Sequence, residues 1–278
     1  MIAIQQLEQL PQLERLGNQA FFTLPLKITV AEGSFLHIGG TGSVLSKKDQ
    51  PIFSVDGQPV VPASSFKGAF RHQVELLLID KKADLAQALD LSGNKADLLK
   101  PSIPAPRPSK AEQDLFDRGY RRESWIKVEG DKLQVASGGL CPVSYFFGAA
   151  GLEGFLRIPN FLPQPGEWRI DQTRIRIDRK TGTAAPGALV TGEQVKPGSF
   201  FAGKLLIFQQ RHGTTFGHCR EIGGTKVDQW LDEWSEADDN MRQLCLINNI
   251  LIPALNNLKV LGGQKSLGAG RVEITLHV

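Results

Sequence analysis

The sequence predicts an α+β fold, and three observations carry that expectation. Segments of helical period are few, and groups of strand-like segments separate them, an order that favours α+β over a doubly wound parallel sheet. No tandem repeat of solenoid length is present, so a packed core is expected and not a stacked array. At 278 residues the chain can bury a sizeable core, as one large domain or one domain with insertions more readily than as two full domains.

The elements follow in order. Residues 1–20 form a polar leader, read as a short helix or as disordered, and a single domain is expected over 21–278. Leu24 to Val30, in FFTLPLKITVAEG, is rich in apolar and β-branched residues and predicts a strand. PIFSVDGQPVV (51–61) predicts a hairpin, because Asp56-Gly57 is a two-residue turn signal between apolar runs. In PASSFKGAFRHQVELLLID, Ser64 or Ser65 is placed to cap a helix whose Phe66, Phe70, Val74, Leu77 and Leu78 recur at helical spacing. Residues 80–100 are helical in composition. KPSIPAPRPSK (100–110) holds four prolines in eleven residues and cannot be regular, so the region of about 80–135 reads as an insertion or lid. Residues 174–195 predict a long hairpin with a flexible tip, and SFFAGKLLIFQQ (199–210) predicts a strand. MRQLCLINNILIPALNNL (241–258) gives a second amphipathic helix that Pro253 should kink or break. A glycine loop then leads into a last strand, where Val272, Ile274 and Leu276 alternate for one buried face.

Composition narrows the function classes. Hydrophobic content of 41% and charged content of 22% exclude wholesale disorder. A net charge of +3 and a pI near 8.7 permit a nucleic-acid partner without requiring one. Cys141, Cys219 and Cys245 are odd in number and outside CxxC spacing, which argues against a disulfide framework. The N-terminal stretch lacks the features of a secretory signal, and no segment approaches the ~20 apolar residues of a membrane span. A soluble, cytoplasmic protein with no membrane partner is expected.

Two segments carry anion-binding chemistry. In VLGGQKSLGAGRVEI (260–274), Gly262, Gly263, Gly268 and Gly270 permit positive φ and close backbone approach, and Lys265 and Arg271 add charge. The alternative is a glycine turn that only feeds the last strand. In PASSFKGAFR a helix N-terminus offers free N–H groups, Ser64 and Ser65 offer hydroxyls, and Lys67 and Arg71 lie four apart on one face. The alternative there is a cap followed by a solvated face. The order of a nucleotide P-loop is absent. His212, His218 and Cys219 fit no standard zinc spacing, and no metal-ligand set is expected. Trp125, Trp168, Trp230 and Trp234 are candidates for base stacking, with core or interface packing as the default. In the acidic stretch 228–239, Trp230 and Trp234 fall four apart on one helical face, which suits a neighbouring protein subunit or the core better than RNA.

Four motifs, LHIGG (36–40), KDQPIFSVDGQPVVPASSFKGAFR (48–71), IRIDRKTGTAAPGALVTGEQVKPGSFF (175–201) and GGQKSLGAGRVEI (262–274), occur in the order of the RAMP superfamily. The chain most resembles the backbone subunits of type III CRISPR RNA-guided effector complexes. The leader and residues 80–135 lie outside the resemblance. It implies a modified ferredoxin-like, RRM-related palm with an extended thumb hairpin at about 174–196. Partners would be guide RNA, complementary target RNA and the other subunits of such a complex. Guide phosphates would meet Ser64, Ser65, Lys67 and Arg71, and the loop bearing Gly262, Gly263, Lys265, Ser266 and Arg271, where glycine lets the protein backbone approach RNA.

The same resemblance bears on catalysis. Cleaving members carry an aspartate between LHIGG and the helix, and Asp49 of KKDQPI matches it, although Lys48 precedes it where an apolar residue is usual and the loop from Gly40 is short. In the family this aspartate, with Mg²⁺ or another divalent metal and no organic cofactor, serves attack of a ribose 2′-OH on the target strand. A lone loop aspartate is otherwise a turn residue or a solvated charge. His37 is a candidate for assisting proton transfer, or a structural histidine beside the glycines. The sequence thus leaves open a guide-binding subunit that cuts at Asp49, a structural subunit without chemistry, a stand-alone guide-processing endoribonuclease, and, more remotely, a phosphate-ligand enzyme.

Overall fold

Alternating apolar residues build the centre of the molecule. The computed structural model describes residues 3–39, 49–91, 93–103, 109–121, 125–129, 132–135, 139–166, 168–232, 234 and 238–277. Leu13–Leu16 (β1) turns into Gln19–Val30 (β2), whose Phe22, Leu24, Leu26, Ile28 and Val30 are all buried. A small hairpin, Ser54–Val55 (β3) and Gln58–Pro59 (β4), leads to Ala63–Asp80 (α1), Lys82–Ala88 (α2) and Ser109–Asp117 (α3). Ile126–Glu129 (β5) pairs with Lys132–Val135 (β6) before Pro142–Phe147 (α4). Leu156–Arg157 (β7) and Leu162–Pro163 (β8) precede a long hairpin of Arg169–Ile177 (β9) and Ala184–Val195 (β10). Phe200–Phe208 (β11) re-enters the sheet. Two short hairpins follow, Gln210–Arg211 (β12) with Thr214–Thr215 (β13) and Glu221–Ile222 (β14) with Thr225–Lys226 (β15). Asp239–Leu246 (α5), Ile252–Asn257 (α6) and Val272–Leu276 (β16) complete the chain.

The class is α+β with an antiparallel main sheet, as expected. β2 is its hub: β11 pairs along one edge, with Phe201 opposite Ile28 and Ile207 opposite Phe22, while β1 and β16 share the other edge end to end. β7 and β8 share the far edge of β11. The helices sit where the sheet leaves room for them. A Cβ at Gly203 of β11 would collide with the Phe161 ring, so glycine admits that ring, and Phe161 packs on Phe66 of α1 with centroids 4.6 Å apart. Each fully buried phenylalanine contributes about 1.5–3 kcal/mol of burial, which makes this contact a main tie between helix and sheet.

The sequence expectations need five corrections. The leader is neither helical nor disordered over its described residues. Asn256 and Asn248 each exchange two hydrogen bonds of 2.7 to 2.9 Å with the main chain of Ile4 and Leu7, and β1 pairs with β2, so residue 20 falls inside a hairpin. Neither Ser64 nor Ser65 caps α1, because extended Pro62 starts the helix ahead of them and the Ala63 N–H is met instead by Asn160 Oδ1 at 2.8 Å. Pro253 does not break the second helix. The chain stays helical from Asp239 to Asn257, and the π-turn at Ile247–Leu251, directly ahead of the proline, accommodates its missing donor. Region 80–135 is no detached lid, since Leu85, Leu89, Leu91 and Leu99 join the main core, and the proline-rich run gives way to α3 already at Ser109. Its residues 104–108 lie outside the described residues. Trp230 and Trp234 share no regular helix; Gln229–Leu231 is a single 3-10 turn, and both indoles are buried in the core. Residues 233 and 235–237 of that stretch lie outside the described residues. No helix among the described residues is long and apolar enough to cross a membrane.

Candidate nucleic-acid interface

The segment 34–39 brings the separated motifs together. Its Phe35 carbonyl accepts from Gly270 N–H (2.6 Å) and its His37 carbonyl from Gly263 N–H (2.7 Å), so the C-terminal glycine loop lies against it. Ser34 Oγ donates to the Gly268 carbonyl and accepts from Arg271 N–H. On its other edge Leu36 and Val195 exchange two backbone hydrogen bonds, which attaches the base of β10.

Two of the loop glycines serve this docking. Gly262 has φ +77° and a Cβ there would collide with the His37 carbonyl oxygen; Gly270 has φ +95° and would collide with that of Leu261. The close backbone approach inferred for RNA is therefore first an approach to the protein's own chain. The N–H groups of Gly263, Gly268 and Gly270 are all used internally, on His37, Lys265 and Phe35. Side chains are left to meet a ligand. Lys265 and Ser266 stand exposed on the 3-10 turn Lys265–Leu267.

The structure divides the predicted anion-binding set in two. A cleft of about 480 Å³ lies between the glycine loop and α1, with Ser65, Gly68 and His72 on one wall and Gly262, Gly263 and Lys265 on the other. Lys67 and Arg71 project from the opposite flank of α1 into a different cleft. The reason is helical phase: at about 100° per residue, positions 65, 68, 69 and 72 share one stripe, and 67 and 71 share another. That division was readable in the sequence. Ser64 is exposed beside the first cleft without lining it, and Arg271 is exposed at the start of β16. Arg71 also donates to Glu75 Oε1 at 3.0 Å. Burial and the neighbouring Arg71 charge lower the pKa of Lys67.

Asp49 lines an adjoining cleft of about 480 Å³ with His37, Gly39, Gln50, Gly263 and Gln264. Its Oδ2 accepts from Thr191 N–H of β10 at 2.8 Å, and its own N–H donates to the Thr191 carbonyl at 3.0 Å. The carboxylate is thus an anchor of the long hairpin; its Oδ1 has no donor among the described residues. His37 Nδ1 lies 2.9 Å from the Glu193 carbonyl. A carbonyl only accepts, so Nδ1 carries the proton, and in the neutral ring Nε2, beside Gly39, is the acceptor nitrogen. Gly40 and Lys48, which the sequence reading singled out, lie outside the described residues.

Sequence reasoning missed the polar network at this junction. Gln264, at φ +57°, accepts through Oε1 from Arg174 (2.7 Å) and Gln194 (2.9 Å) and donates through Nε2 to Gln50 (2.9 Å). One loop amide therefore joins both strands of the hairpin to the Asp49 segment. Glu193 accepts from Ile52 N–H and pairs with Arg169, both at 3.3 Å. Glutamine in a glycine loop carries no sequence signal of this kind. The alternation of GEQV beside polar RIDQTR was the available hint that both faces of the hairpin base are in use.

A divalent metal would have little protein to hold it. No group of three His, Cys, Asp or Glu side chains is found among the described residues. A single carboxylate nevertheless fits Mg²⁺, which keeps most of its water and takes one or two carboxylates together with substrate phosphates.

The RAMP superfamily model matches residues 33–273. A search of curated proteins finds no match. Among solved structures, a chain of the type III-B Cmr-beta complex bound to cognate target RNA aligns over 91% of this chain and 96% of its own, at 16% identity and a TM-score of 0.44. A chain of Cmr-beta in the apo state aligns with the same coverage and identity and a TM-score of 0.43.

Proposed function

Because the chain belongs to the RAMP superfamily, we propose that it is a guide-RNA-binding backbone subunit of a type III CRISPR interference complex, and that it cuts target RNA paired with the guide at Asp49. The observation that carries this reading is the convergence of the family's separate motifs on two adjoining clefts: Ser65 and Lys265 face each other across one, and Asp49 and His37 line the next, at the foot of the hairpin. In this reading the main sheet with α1 is a ferredoxin-like, RRM-related palm, and β9–β10 is the thumb.

Lys265, Ser266 and Ser65 hold phosphate and sugar and read no base, so the guide is gripped whatever its sequence. The thumb, fixed at its base by Thr191, Gly192 and Val195, parts the guide–target duplex and exposes one target linkage above Asp49. Asp49 Oδ2 stays on Thr191 N–H, and Oδ1 faces the reacting strand. His37 Nε2, as an acceptor, takes the 2′-OH proton as that oxygen attacks the adjacent phosphorus; the 5′ oxygen leaves with a proton from water as a 5′-hydroxyl, and a 2′,3′-cyclic phosphate remains on the other fragment. A divalent metal bound to Asp49 would neutralise charge on the phosphate.

Titration of a labelled RNA with the full chain at several salt concentrations tests the binding half of this proposal. Binding should be indifferent to base sequence and fall steeply with salt, and Lys265→Ala should flatten the salt dependence by about 0.7 in slope. Salt-independent or base-specific binding would contradict it.

A further inference from the structure

One wall separates the two clefts of the proposed site. Gly39 and Gly263 line both, Lys265 faces the glycine-loop cleft, and Gln264 faces the cleft of Asp49 and His37. A residue on that wall can respond to what sits in one cleft and act in the other. Gln264 is also strained. It takes the left-handed conformation, φ +57° and ψ +27°, which residues with a Cβ rarely adopt and which Gly262, Gly268 and Gly270 of the same loop reach freely. A strained glutamine among glycines points to a use for its side chain.

Its hydrogen bonds show that use. The Arg174 guanidinium only donates, so the Gln264 atom 2.7 Å from it is the amide oxygen, Oε1. Gln194, buried and 2.9 Å from the same oxygen, donates through its own Nε2, and Gln264 Nε2 donates to Gln50 Oε1 at 2.9 Å. Both acceptor positions of Oε1 are thus filled, one from each strand of the long hairpin. Gln50 is pinned to β10 in turn: its carbonyl accepts from Glu193 N–H at 2.9 Å, and its neighbour Asp49 exchanges two bonds with Thr191. On the loop's other side, Gly263 N–H holds the His37 carbonyl. Displacing the turn Lys265–Leu267 would take the shared acceptor from both strands and loosen the seats of Asp49 and His37 together.

We infer that Gln264 is a positioning residue that makes the geometry at Asp49 depend on a guide strand seated at Lys265. Phosphate on Lys265 and Ser266 steadies the turn, the turn holds the Gln264 amide, and the amide closes the hairpin base against the Asp49 segment. The element with two states is the base of a ribbon that is marginal by itself, and both clefts bias it. The inference rests on the proposed function and adds regulation to it: with the guide cleft empty, the cutting cleft is loose.

The test compares the full-length parent with Gln264→Leu, Gln264→Glu and Arg174→Met. Anisotropy of a labelled oligouridylate reads binding, and hydrogen exchange of the Thr191 amide is followed with and without saturating RNA. In the parent, RNA should slow that exchange by at least about fivefold. Gln264→Leu, which keeps the bulk but offers no acceptor, should bind RNA within about threefold of the parent and lose the slowing. Gln264→Glu keeps the acceptor for Arg174 and Gln194, and the Gln50 amide can turn to donate to it, so the slowing should return. Arg174→Met breaks the bond from the far side without touching the loop, and adding it to Gln264→Leu should change little more. In the assembled complex, Gln264→Leu should cut saturating target RNA about tenfold more slowly with KM unchanged. If the parent binds RNA but its Thr191 amide is not slowed, or is slowed equally in Gln264→Leu, the inference is wrong and the proposed function stands. Gln264→Glu behaving as Gln264→Leu also overturns the inference. If the parent binds no RNA, the proposed function fails and the inference fails with it.

Discussion

The pairs β2–β11 and β9–β10 are both long antiparallel ladders, yet they are held by different forces. In the first, Phe22, Leu24, Ile28, Phe201, Leu205 and Ile207 are buried, and the ladder is part of the core. In the second, Ile175, Ile177 and Leu189 are more than half exposed, and among the described residues the ladder pairs with no other strand along most of its length. A lone two-stranded ribbon is marginal in water. This one is fastened at its base by Asp49 on Thr191, by Gln264 on Arg174 and Gln194, by Arg169 on Ser54 and the Gly57 carbonyl, and by Glu193 on Ile52 N–H. The difference teaches that Asp49, a group proposed for chemistry, also holds the long hairpin, so a variant at Asp49 has two possible effects that must be separated.

The largest effect is expected in the buried ladder. Leu205→Ala, at a fully buried position of β11, should cost about 2–5 kcal/mol in a urea melt. A loss below about 1 kcal/mol would mean that the sheet is not the core. Next comes the docking of the glycine loop. Gly262→Ala combines a φ of +77° with a collision on His37, and should lower stability by about 1–3 kcal/mol and expose the Gly263 amide to hydrogen exchange. Unchanged protection of that amide would show that the loop does not depend on this contact. A local effect is expected at the hairpin base: Arg169→Ala should speed amide exchange through β9 and β10 while leaving the melting midpoint nearly constant. A cooperative fall of the whole melt would erase the distinction between the two ladders. The smallest effect belongs to the free ribbon, where Ile175→Ala should change stability by no more than about 0.5 kcal/mol.

How far the sequence reveals this depends on the range of the forces. The β3–β4 hairpin was legible because its turn is local: Asp56 and Gly57 take φ of +49° and +75°, as the two-residue turn demands. The long hairpin was legible along its strands, but it begins at Arg169 and not at 174, because the polar run RIDQTR pairs with GEQV in a way that no apolar alternation announces. Its attachment to residues 36, 49 and 50 joins points more than a hundred residues apart, and no single-sequence pattern encodes that. The glycine loop was recognised as close-approaching, but not what it approaches. The split between Ser65 and Lys67 was encoded in helical phase and passed over because adjacency in sequence was read as adjacency in space.

Asp49 carries the central claim, and its anchoring role dictates the variant. Asp49→Ala removes both the charge and the acceptor for Thr191 N–H, whereas Asp49→Asn keeps an oxygen acceptor and loses only the charge. The decisive measurement is cleavage of labelled target RNA by the assembled complex with Mg²⁺, comparing the parent with Asp49→Asn. The cuts opposite this subunit should vanish while guide binding and hairpin exchange protection persist. Cutting by Asp49→Asn at the parental rate would contradict it and leave Asp49 as an anchor of the hairpin alone.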